Sequence, residues 1–81
     1  MDDTEILARI SEMVQAEHDL RIKEQADPAT AEQATLRLKE LEESLDQCWD
    51  LLRQRRARRE FHQDPDGAGV RPVSEVEGYL R

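Results

Sequence analysis

Apolar residues recur through residues 34–61 at alternating steps of four and three: Ala34, Leu38, Leu41, Leu45, Cys48 and Leu52. That spacing keeps one stripe of an α-helix turned toward a neighbouring helix. The same seam positions then pass to Arg55 and Arg59, inside the run Arg53-Gln54-Arg55-Arg56-Ala57-Arg58-Arg59. The stripe therefore changes from apolar to cationic near its end. Nearer the N-terminus, Ile6, Ile10, Met13, Glu17 and Leu20 repeat the same steps, with Leu7 and Val14 widening the stripe on one side. Glu17 is the single polar interruption of that second stripe.

The boundary signals predict two helices, over about residues 3–25 and 30–61, within a hairpin spanning residues 1–62. Asp2 followed by Glu5 has cap-box spacing, and acids in a first turn suit the positive end of the helix dipole. Asp27-Pro28 supplies the break, because proline disfavours helical geometry in the residue before it and itself suits a first helical turn. Either Asp27 or Thr30, the latter with Gln33, serves as the second cap. So short a connection lays the two helices side by side and antiparallel. The second helix is longer than the first, so the arginine run is expected at or beyond the start of the first helix, with nothing else within the hairpin to cover it but Met1–Glu5. Asp64-Pro65-Asp66-Gly67-Ala68-Gly69 ends the long helix. The remaining tail, residues 63–81, is expected to be extended over Val70–Val73 and to finish in one helical turn capped by Ser74. Val70, Val73, Val76, Tyr79 and Leu80 are more apolar than a solvated tail requires, so the tail is expected to dock on a hairpin, its own or a partner's.

The fold class expected is all-α: a coiled-coil-like antiparallel hairpin, dimerising into a four-helix arrangement, with an extended C-terminal tail. Leu7, Val14, Leu36, Trp49 and Leu51 fall beside or away from the seam, and one helix-on-helix contact does not cover them all. That excess argues for a homodimer, since 81 residues supply only a small core.

Charge narrows the function. The chain carries a formal net charge of −7, yet residues 53–59 hold five arginines and no acid. A compact basic end on an acidic molecule disfavours broad nucleic-acid or acidic-membrane binding. Five guanidinium groups are a phosphate-binding hypothesis, but no aromatic or Gly-rich loop interleaves with them. Ion pairing with Asp2, Asp3, Glu5, the tail or a second subunit is the stronger reading. The candidate interaction surface is therefore Trp49, Arg53, Arg55, Arg56, Arg58, Arg59 and Tyr79. Cys48 is the only cysteine and sits on the apolar seam, which excludes an internal disulfide. His18 and His62 share no metal spacing, and no nucleophile, acid–base or phosphate-loop pattern occurs. No catalytic residue, cofactor or metal site is expected. The acidic N-terminus lacks a signal-peptide or membrane-spanning pattern, so a cytoplasmic protein is expected.

Two readings follow. One is a non-enzymatic protein–protein interaction or scaffolding module; the other is a nucleic-acid-associated regulator using the Arg53–Arg59 end. The stretch from Leu45 through Cys48-Trp49-Asp50-Leu51-Leu52 and the arginine run to Phe61 resembles the core of a small actinobacterial family of uncharacterised helical proteins, a domain of unknown function. Asp3–Ile10 is similar to the opening of that family, and Val70-Arg71-Pro72-Val73 with Glu77-Gly78-Tyr79-Leu80 to its close. The resemblance implies a stand-alone small protein and carries no activity, ligand or catalytic residue with it.

Overall fold

The acidic start of the chain sets the first helix. Asp2 takes an extended backbone, and its Oδ1 accepts the Glu5 amide at 2.8 Å. That bond satisfies one of the donors a helix N-terminus leaves unpaired. α1 then runs Asp3–Ala26 and stops at Asp27, whose own carboxylate accepts from the Ala29 amide and caps a single 3-10 turn over Pro28–Thr30. α2 follows over Ala31–Glu60. Thr30 adds no side-chain cap to it; its hydroxyl donates instead to the Asp27 carbonyl. The computed structural model describes residues 1–79, the Tyr79 side chain excepted, and these residues are all-α, with no strand among them.

α1 and α2 lie antiparallel. Asp3 at the start of α1 reaches Arg55 and Arg59 near the end of α2, while Arg21 near the end of α1 reaches Glu42. Ile6 and Ile10 meet Leu45 and Leu51 at the centre, with Met13, Cys48, Leu52 and Ala68 packed around them. Ala34, Leu38 and Leu41 are buried farther along α2. Toward the loop end Leu20 and Ala34 line an open groove between the helices.

α2 ends in a Schellman motif. The His62 amide donates to the Arg59 carbonyl at 3.1 Å and the Gln63 amide to the Arg58 carbonyl at 2.7 Å, with His62 at φ 58°. A side chain in that left-handed conformation is strained, and glycine is the usual residue there. His62→Gly is therefore expected to raise stability by about 0.5–1 kcal/mol, read from the denaturant midpoint.

The reversal at His62 returns the chain along α2. A 3-10 turn over Pro65–Gly67 leads through extended residues into α3, Val73–Tyr79. α3 begins directly after Pro72, whose carbonyl accepts from Glu75 and Val76. Ser74 therefore lies inside the helix and is not its cap, a correction to the sequence expectation. The tail lies on its own chain's α2, and α3 packs along that helix. Val76 of α3 is fully buried, and Ala68 of the tail packs against the cluster that holds Leu51. The three elements form a slab of 51 × 25 × 15 Å.

Candidate interaction surface

The arginine run does not project freely. Arg55 takes a seam position, where the helical screw would otherwise place an apolar residue, and is only 6% exposed. Its Nε donates to Asp3 Oδ1 at 2.6 Å and its Nη1 to Asp66 Oδ1 at 2.9 Å. One buried guanidinium thereby ties the start of α1, the end of α2 and the turn of the tail. A buried cation is tolerated only with such hydrogen-bonded counter-charges. Arg59 Nη2 lies 2.9 Å from the second oxygen of Asp3. The two bonds from Arg55 and Arg59 hold the Asp3 carboxyl below the usual carboxylate range, and the Arg55 bond does the same for Asp66. Arg55 itself is pushed up, first by Asp3 and then by Asp66.

The other arginines divide. Arg58 is half-buried, with its guanidinium so close to Gly67 that a Cβ there would stand 2.6 Å from Nη1. Arg56 pairs with Glu60 one turn on, and Arg53 is exposed. Asp2 serves as the α1 cap, so among the N-terminal acids Asp3 is the one paired with the arginines. Besides Asp3 of the hairpin, the tail brings Asp66 and Gly67 to the same end.

A second polar set on α2 grips the tail. Gln54 Nε2 donates to the Gly69 carbonyl at 2.8 Å and to Asp50 Oδ2 at 2.9 Å. Gln47 Nε2 donates to the Arg71 carbonyl at 3.0 Å, and Arg71 Nε stands 3.5 Å from Asp50 Oδ2. Gln47, Asp50 and Gln54 are three and four residues apart, so they share one face of the helix. Gln47 and Gln54 hold an extended segment by its backbone carbonyls, and Asp50 meets the Arg71 side chain. Asp50 is only 4% exposed, and every buried side-chain polar atom among the described residues has a partner. Sequence reasoning missed this set; the spacing of Gln47, Asp50 and Gln54 was visible but reads as an ordinary solvated face.

Trp49 lies on the other side of the seam. It is 45% exposed, as are Leu7 and Val14 of α1 to a similar degree. On a 100° screw these three side chains project from the same broad face of the slab, and the tail side carries Arg9, Gln47 and Val70 around a shallow groove. The structure thus places Trp49 and Arg53 apart from Arg55, which it buries, while Tyr79 closes α3 with a side chain outside the described residues. Cys48 is half-buried at the floor of the tail-side groove, and burial pushes its thiol up, away from the thiolate. No metal-ligand group occurs among the described residues, and no helix there is long and apolar enough to cross a membrane.

Comparison with known proteins identifies a family. Residues 2–81 match the model of a family described as a protein of unknown function (DUF2630). The chain is 46% identical over 77 residues to the uncharacterized protein Rv0898c of Mycobacterium tuberculosis, and equally to the uncharacterized protein Mb0922c of Mycobacterium bovis. Each match covers 95% of this chain and 88% of the relative. No solved structure matches. With a family match over nearly its whole length and mycobacterial relatives at that identity, the chain belongs to the DUF2630 family.

Proposed function

We propose that this chain is a non-enzymatic protein-interaction module, a small helical scaffold that offers one broad face to further helices. The observation that carries the reading is the difference between the two broad faces. One receives the chain's own tail, clasped by Gln47, Gln54 and Arg55. The other leaves Leu7, Val14 and Trp49 about half exposed together. Aromatic and aliphatic side chains grouped on a flat surface are the usual anchors of a protein interface. The nucleic-acid reading is weaker on the same geometry. Arg55 and Arg59 are engaged with carboxylates, and a phosphate backbone would have to displace them.

In-cell photocrosslinking tests this directly. A crosslinking residue replacing Val14 is expected to give protein adducts. The same residue at Leu36, which is 60% exposed on the side of α2 away from the seam, is expected to give none. Equal adducts from both positions, or adducts that nuclease removes, would overturn the reading.

A further inference from the structure

We infer that the face bearing Leu7, Val14 and Trp49 binds a second copy of this chain, with the two α2 helices antiparallel about a two-fold axis beside Trp49. This rests on the interaction-module reading and names its partner.

The charge pattern of α2 is what singles out a second copy. Glu42 stands seven residues before Trp49 and Arg56 seven after it. Asp46 stands three before and Arg53 four after. Those steps bring all four within roughly 60° of Trp49 around the helix. The face is therefore acidic on one side of Trp49 and basic on the other. In an antiparallel two-fold pair, a residue a given distance before the axis meets the one that far after it. Glu42 of each copy then faces Arg56 of the other, and Asp46 faces Arg53. A parallel pair would instead set like charges against each other, which is costly at an interface.

The apolar part fits the same axis. The contacts of Asp3 with Arg55 and Arg59, and of Arg21 with Glu42, set the register of the hairpin. They place Trp49 level with the middle of the span from Leu7 to Val14. The twofold thus passes near the centre of the apolar group, and each copy brings its Trp49 against the other's apolar cluster. Glu42, Arg53 and Arg56 are exposed, while Asp46 is half-buried and lines a groove with Glu77 of α3. Glu42 meets Arg21 at 3.3 Å and Arg56 meets Glu60 at 3.2 Å, and in both pairs each side chain is more than half exposed. Exposed pairs of that kind contribute little, so exchanging them across an interface costs little.

Sedimentation equilibrium of the full chain between about 1 and 100 µM, a range that reads micromolar association, is the test. The wild type is expected to be a dimer, and Trp49→Glu a folded monomer by circular dichroism. Glu42→Arg and Arg56→Glu are each expected to weaken the dimer about tenfold or more, because each homodimer then carries two like-charged contacts. Mixed one to one, these two variants are expected to form a heterodimer at least as tight as the wild type, since both contacts become attractive. A merely structural role for either residue would not produce that rescue. A dimer indifferent to Trp49→Glu, or singles that fail to rescue each other, overturns the inference. A wild-type monomer whose Val14 position crosslinks to a different protein in its host overturns the second copy and keeps the module reading. A monomer with no adducts overturns both.

Discussion

Ile6→Ala is expected to lower the unfolding free energy by about 2–5 kcal/mol, measured by denaturant unfolding followed through circular dichroism. Ile6 has no exposed surface and stands where α1 meets Leu45 and Leu51 of α2. Truncation removes the transfer free energy of three carbons and leaves a cavity, which helices tied together at Arg55 close only in part. A domain of this size has a total stability near the lower end of about 5–15 kcal/mol, so the loss is a large share of it. Leu36→Ala is the control: at 60% exposure its removal is expected to change stability by less than about 0.5 kcal/mol. Equal losses at the two positions would mean that the seam does not carry the fold.

Arg55→Met is expected to loosen the tail and to flatten the acid limb of the stability curve. Asp3 and Asp66 have their carboxyls held below the ordinary value of 3.8, in each case chiefly by the hydrogen bond from Arg55. A carboxyl depressed in the folded state binds fewer protons there than in the unfolded chain. Stability therefore rises with pH through that range. The contribution is complete above the ordinary carboxylate value and is lost as the pH falls through it toward the depressed folded value. In the wild type, then, thermal midpoints fall steeply on acidification below about pH 5. In Arg55→Met the part of that slope due to Asp66 shrinks to what the N-terminal amine retains, and the part due to Asp3 to what Arg59 retains. Amide exchange is expected to quicken across the tail to Val76 first, because the guanidinium is the one group bonding both Asp66 and Asp3. An unchanged acid limb with unchanged exchange at Val76 would show that the clasp is idle.

The helical hairpin was legible because its signals are local or periodic. The steps of four and three along Ala34–Leu52 mark the buried stripe, Asp2 with Glu5 marks a helix start, and Asp27-Pro28 marks a break; each acts within one or two turns of the backbone. The tail was legible only as something apolar enough to dock. Its seat on α2 was not, because Gln47, Asp50 and Gln54 are polar residues at helical spacing, the same pattern a solvated face shows. Leu51 read as surplus apolar surface because it falls off the heptad seam, and it is covered by the chain itself. The arginine run was read as a free or ion-paired end, and the separation of Arg55 from Arg53 within it has no counterpart in local sequence.

The helices, their breaks and the main stripe each one buries follow from local sequence, since periodicity and capping are written in neighbouring residues. The sequence also determined that a compact basic end sits on an acidic chain. The tertiary structure decided which charges become structural. Arg55 is buried because Asp3, from the far end of the chain, and Asp66, beyond the reversal at His62, converge on it. It also decided which apolar residues remain open, because the tail returns to one side of α2 and leaves Leu7, Val14 and Trp49 on the other. Both outcomes depend on contacts between segments far apart in the chain, and the energy of such a contact is set by which groups the folded backbone brings within reach.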